Sequence, residues 1–286
     1  MQEEKVFEQT FMDIFYGTWA GRLITGALLS RNCISKCYGW LQKRPNSVRR
    51  IPPFVEEFNI DTDELEKPVG HYKNFNEFFK RRLKPDARPV DMAKTALISP
   101  ADGRLLTYSV QDDLIIPVKG AGFTISELLG DNEATEPWKN GTCIKIRLAP
   151  CDYHRFCYID DGYHGPVIPI KGKLHSINPL ALKHGLKILQ TNKREFAVLR
   201  TENFGKVIHI DVGAMTVGSI HQHLRNGGRF SKGDEKGYFE FGGSTIILLF
   251  EPGIVMMDKD IKEFSQRGIE TMVRYGSKIG QRTRKL

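Results

Sequence analysis

The uninterrupted apolar run Ile246-Ile247-Leu248-Leu249-Phe250 constrains this chain most. Five apolar residues without alternation do not suit a half-exposed strand; they read as a strand buried on both faces. The approach to it is Phe239-Glu240-Phe241-Gly242-Gly243-Ser244-Thr245, where two glycines meet a serine and a threonine. One reading is a Gly-Gly turn entering a strand, with Ser244 as polar filler. The other is a self-processing serine, which needs support from elsewhere in the chain.

Upstream, the pattern changes once. Phe7, Phe11, Phe15, Trp19 and Leu23 recur every four residues, one face of an amphipathic helix that packs on the core or lies in a bilayer interface. A short helix is predicted over Ile34 to Leu41, and Ile51-Pro52-Pro53 is expected to break the pattern. Asn74 reads as the N-cap of a helix turning Phe75, Phe78, Phe79 and Leu83 inward, followed by a basic face of Lys80, Arg81, Arg82 and Lys84. Beyond a linker at Pro85 to Pro89 the period becomes two, which sets a boundary near residue 93: a helical region 1–92, then a β-rich domain 93–286. Strands are predicted at 105–110, 114–118, 142–148, 153–159, 167–170, 196–201, 207–212 and, as the last, 245–250, with helices at 124–129 and 259–266. Ile144, Ile146 and Leu148 share one face of their strand, Lys145 and Arg147 the other. The fold class is α+β: an N-terminal amphipathic helical region followed by a β-rich domain of sandwich or barrel-like type.

Composition sets the outer bounds. The chain has 286 residues, 40% of them hydrophobic and 27% charged, ordinary for a globular protein. Its formal net charge of +8 suits an anionic partner, but acidic residues are interleaved and no nucleic-acid signature is present. Cys33, Cys37, Cys143, Cys151 and Cys157 are odd in number and form no Cys-x-x-Cys pair, which argues against a disulfide framework and a metal site and for a reducing setting. The stretch Phe11 to Leu29 contains Asp13, Arg22 and several glycines, too broken for a spanning helix, so any membrane contact is expected to be peripheral.

Support for the sharper reading of Ser244 comes from Ser99-Pro100-Ala101-Asp102-Gly103 and Ala149-Pro150-Cys151-Asp152-Tyr153-His154-Arg155-Phe156. With Gly242-Gly243-Ser244-Thr245, these segments resemble the three signature segments of the phosphatidylserine decarboxylases in their proenzyme form. Asn203-Phe204-Gly205, Val212-Gly213-Ala214, Val217-Gly218 and Lys232 to Phe239 look like the same family, and the resemblance runs from about Phe75 to Phe250.

The resemblance implies a chain that makes its own cofactor. Ser244 Oγ attacks the Gly243 carbonyl, the chain splits between 243 and 244, and Ser244 becomes a pyruvoyl group, with no pyridoxal phosphate and no metal. A serine hydroxyl needs a base, and a carboxylate orienting that base completes the triad logic. The resemblance supplies Asp102 as the carboxylate and places His154 beside the pyruvoyl group during decarboxylation. It also marks a departure: the second histidine of the family pattern, the base for self-cleavage, is Cys157 here. Cys157 and His175 are the substitute candidates, with His221, His223 and His209 behind them and His154 itself available through a changed geometry. His154 and Cys157 both face one site only if the strand bulges or ends between them. The implied work is conversion of phosphatidylserine to phosphatidylethanolamine at the cytoplasmic side of the cell membrane, by a peripheral homodimer. Rival readings are a pyruvoyl decarboxylase for another serine-headgroup lipid, a catalytically silent lipid-binding homologue, and a hydrolase with Cys157 as nucleophile.

Overall fold

A computed structural model describes residues 39–115, 122–130, 135–172, 191–213 and 219–283. The aromatic stripe from Phe7 to Leu23 and the candidate base His175 lie outside the described residues.

The apolar run becomes β14 (Ser244–Phe250), buried along its whole length. It lies inside a large sheet whose order is β12 (Gly228–Phe230), β7 (Gly162–His164), β9 (Arg194–Thr201), β10 (Gly205–Gly213), β14, β5 (Thr142–Leu148), β2 (Gly103–Gln111), β3 (Leu114–Ile115) and β4 (Phe123–Thr124). β16 (Thr271–Val273) adds to β2, and β8 (Ile168–Ile170) to β9. The path has two ends and does not close, so of the two expected arrangements the layered one holds. A second sheet joins β1 (Ala96–Ile98), β17 (Lys278–Arg282) and β15 (Val255–Met257), and a third joins β11 (Ile220–Gln222), β13 (Glu235–Phe239) and β6 (Arg155–Cys157).

β14 is apolar throughout because each of its faces enters a different core. Ile246, Leu248 and Phe250 pack with Ile144, Ile146, Leu148, Phe156 and Phe239. Ile247 and Leu249 pack on the opposite side with Cys143, Ile208, Ile210, Val212 and Phe196, roofed by Ile125, Leu128 and Leu129. Each such Ile, Leu or Phe contributes about 1.5–3 kcal/mol of burial.

The helical part has its own core. Ile51, Phe54, Leu65, Tyr72, Phe75, Phe78 and Phe79 close around Phe241, so this core includes a residue next to the Gly-Gly pair. The Pro-Pro sequence does not break a helix here but starts one: α1 runs Ile51–Phe58 with proline in its first turn, where the missing N–H has no intrahelical role. α2 (Phe75–Phe79) begins as expected, Asn74 Oδ1 accepting from the Glu77 N–H at 2.8 Å. It stops at Phe79, short of Leu83. α3 (Ile125–Leu129) and α4 (Lys259–Gln266) match the sequence reading. The strand at 245–250 is not the last one, since β15, β16 and β17 follow it.

Candidate active site

Ser244 opens β14, paired to Gly213 on β10 and Leu148 on β5. Its side chain is fully buried, and its Oγ has no hydrogen-bond partner. A buried orphan hydroxyl is uncommon and calls for an explanation. The turn before it is held residue by residue: Phe239 N–H donates to the His154 carbonyl (2.9 Å), Glu240 N–H to Ser219 O (3.2 Å) and Phe241 N–H to Asn76 Oδ1 (3.0 Å). Gly242 sits at φ 136°, a backbone state that side chains resist. The Phe241 ring lies 5.2 Å from Phe75 and 5.0 Å from Phe79.

β6 begins at Arg155, so His154 precedes the strand and Cys157 lies at its end. His154 is fully buried, with Phe79 4.0 Å from its ring. Its Nδ1 is 3.0 Å from the Asp152 carbonyl. A carbonyl only accepts, so Nδ1 carries the proton and Nε2 the lone pair. Nε2 has no partner. Burial, helped by the charges of Arg81 and Arg104, pushes the His154 pKa down to about 3, against a pull from the Asp152 and Gly242 backbone. The ring is therefore neutral at neutral pH and holds a free lone pair beside the turn that leads to Ser244.

Asp102 is held by other groups. Arg88 binds both its oxygens (Nε at 3.0 Å from each, Nη2 at 2.8 Å), and the Tyr275 N–H donates to it at 2.7 Å. Its charge acts on the Cys157 thiol and also on Arg81 and the Asp152 carboxyl. Cys157 is fully buried with Sγ 3.9 Å from the Ser99 carbonyl, and burial pushes its pKa up to about 12. The structure thus brings Asp102 to position 157, where the family pattern has its second histidine, and brings His154 to the Gly-Gly turn.

Among the described residues, the other candidate histidines lie beside other groups. His221 stacks on Tyr238 (4.6 Å) with Nε2 3.6 Å from Glu240, and His223 Nε2 is 2.7 Å from Glu235. His209 is fully buried, with Nε2 3.0 Å from Asp211. The sequence reading did not single out Asn76, and it placed Arg81 on a basic face. Arg81 instead turns inward, 5% exposed. A polar residue set among Phe75, Phe78 and Phe79 was the available signal for Asn76.

The pattern of the family described as Phosphatidylserine decarboxylase matches residues 75–281. The phosphatidylserine decarboxylase proenzyme of Clostridium beijerinckii is 43% identical over 280 residues, covering 98% of this chain and 95% of that one. Proenzyme 2 of Clostridium acetobutylicum is 42% identical over 278 residues (97% and 94%), and the Desulfitobacterium hafniense proenzyme 42% over 282 residues (98% and 95%). Near-complete alignment in both directions, spanning all three signature segments, places this chain in the phosphatidylserine decarboxylase family.

Proposed function

We propose that this chain decarboxylates phosphatidylserine to phosphatidylethanolamine, using a pyruvoyl group made from its own Ser244. The observation that carries this reading is the pair of buried, unpartnered atoms beside one glycine turn, Ser244 Oγ and His154 Nε2, in a chain of this family. A hydroxyl with no partner, behind a glycine at φ 136°, fits a serine meant to react with the carbonyl before it.

In this reading His154 Nε2 takes the Ser244 hydroxyl proton as Oγ adds to the Gly243 carbonyl carbon. The Gly243–Ser244 C–N bond breaks, its nitrogen takes the proton, and an ester joins the two residues. Loss of the Cα proton then expels Gly243 as a carboxylate, and water replaces the nitrogen, which leaves as ammonia. Neutral His154 suits the first step because a base must arrive unprotonated. Asn76 fixes the backbone of the turn, and Phe79 and Phe241 keep water from it. The pyruvoyl group, once present, supplies the electron sink for loss of carbon dioxide from an amino acid. Asp102 serves position 157, and Cys157, protonated at neutral pH, is not the base. The regions 1–92 and 93–286 act as lipid-facing and catalytic parts. The net charge of +8 favours the anionic, cytoplasmic face of the cell membrane, and no described helix is long and apolar enough to cross it. The working unit is a homodimer, each protomer of two associated chains.

Intact mass after denaturation tests this. The expected result is chains 1–243 and 244–286, the smaller one lighter by one ammonia than a serine-started chain, with carbon dioxide released from phosphatidylserine vesicles. Ser244→Ala should stay whole, and Cys157→Ser should split normally. A single full-length species, even with anionic lipid present, would instead favour the silent lipid-binding reading, to which the non-basic thiol at position 157 lends support.

A further inference from the structure

Arg81 is the buried cation of this region that has no carboxylate to itself. Asp102 is taken by Arg88 and Asp152 by Arg104. Arg81 Nη2 donates to two backbone carbonyls, Cys151 (2.8 Å) and Asp152 (3.2 Å), and Nη1 reaches Phe79 O at 3.5 Å, while Nε has no partner. Neutral donors could satisfy those carbonyls. A buried guanidinium that bonds only to neutral carbonyls, with its nearest carboxylates paired to other arginines, is costly, so its charge calls for a use.

The Asp152 carbonyl is the one that holds His154 Nδ1. We propose that Arg81 is a positioning residue for the self-processing step, fixing the carbonyl that sets the His154 tautomer and presenting a cation beside that ring. The inference rests on the reading of His154 as the base. The groups that meet His154 are few. α2 offers Phe79, the glycine turn offers the Gly242 backbone, and β2 offers Arg104, whose charge is shared with the Asp152 carboxylate. The Cys151 thiol lies 4.0 Å from that carboxylate. Arg81 has no ion pair of its own; its charge, drawn on by the nearby Asp102 and Asp152 carboxylates, acts on the ring and opposes its protonation.

The test follows splitting after arrested cell-free synthesis, chased in buffers from about pH 2.5 to about pH 8, a span that includes the His154 pKa of about 3. The parent rate should hold until acid protonates His154. Arg81→Gln keeps a donor without the charge, and its acid limb should lie higher by about one pH unit or more. Arg81→Lys keeps the charge without the fork, so it should split more slowly on the parent's limb. A merely structural role would slow both variants and move neither limb, and a glutamine limb that coincides with the parent's overturns the proposal. Should Arg81→Gln fail to fold, or the parent fail to split, nitrogen NMR of His154 in the Ser244→Ala protein decides. A neutral ring protonated on Nδ1 at about pH 6 supports the inference; a cation or an Nε2–H tautomer there overturns it. A parent that never splits while the NMR result holds would remove the processing reading and leave the placement of His154 by Arg81 standing.

Discussion

Around Asp211 the buried ions are matched to one another. Lys236 Nζ binds Asp211 Oδ2 and Gln222 Oε1, both at 2.8 Å, Gln222 Nε2 donates to Asp211 at 2.7 Å, and both ions are at most 1% exposed. Around Ser244, two strand positions along in the paired register, the polar atoms are held by backbone groups and aromatic faces, and the two that matter most have no partner. The first centre ties the small sheet, through β13 and β11, to β10 of the large one. The second leaves its hydroxyl and imidazole unengaged. In one fold, paired charge marks where the sheets are joined, and an unpaired hydroxyl and imidazole mark the turn at which self-cleavage is proposed.

Lys236→Met attacks the joined side and carries the largest expected effect. It strands the Asp211 carboxylate in the core, at a cost of about 3–5 kcal/mol. Urea unfolding of the Ser244→Ala protein should show this, parent and variant being compared as uncut chains at one fixed protein concentration. Asp211→Leu added to Lys236→Met should recover most of the loss. A single variant within about 1 kcal/mol of its parent would mean that the ion pair does not join the sheets.

Acid separates the two centres next. Burial pushes His154 down to about 3 and His164 to about 4, and it lowers His209 as well. An unfolded imidazole binds protons as pH falls below about 6.5 while these rings stay neutral. Stability is then full above about pH 6.5 and declines toward pH 4, by up to about 1.4 kcal/mol per pH unit for each ring. Asp211, held low by Lys236 and His209 against its burial, adds a loss only below the ordinary carboxylate range. Urea midpoints at pH 7 and pH 5 check this, and His164→Phe should lessen the slope. A flat profile would mean that the buried rings titrate like free ones.

How much of this was legible depended on how local the signal was. β5 and α4 carry unbroken periods and were read to the residue. So was the Asn74 cap, whose logic lies within four residues. The end of α2 was not. Nothing in Lys80 to Lys84 stops a helix, but the Lys80 carbonyl is taken by Arg155 at 2.9 and 3.1 Å, and Leu83 pairs with Leu65. That turn sends Arg81 inward out of what reads as a basic run. Lys236 was hidden for a similar reason: β13 slips register against β6 between Glu235 and Gly237, so Lys236 is the extra residue of a bulge, and a bulge re-aims its side chain. β15, β16 and β17 were missed because β15 and β16 have three residues each, too few to show a period, and β17 mixes Lys278, Gly280, Gln281 and Arg282 with a single apolar Ile279. Of the site, Ser244 and His154 were visible as motif members, while the capture of Asp102 by Arg88 and the Tyr275 N–H is purely tertiary.

The smallest effect falls on Asn76, and it sharpens the contrast because no ion is involved. Its Oδ1 accepts the Phe241 N–H, both groups being buried, and so fixes the backbone two residues before Gly243. Asn76→Leu keeps the volume and removes the acceptor, leaving a buried N–H unpaired at about 1–3 kcal/mol. Part of that penalty should appear as lower stability and part as slower splitting, because the turn can relieve it by moving away from the geometry that presents the Gly243 carbonyl. Asn76→Asp keeps the acceptor and places its charge in the first turn of α2, where a negative side chain is tolerated. It should split nearly as fast as the parent. If leucine and aspartate slow splitting equally, the side chain matters for its shape rather than its hydrogen bond, and the turn is held by the Phe75, Phe79 and Phe241 contacts alone.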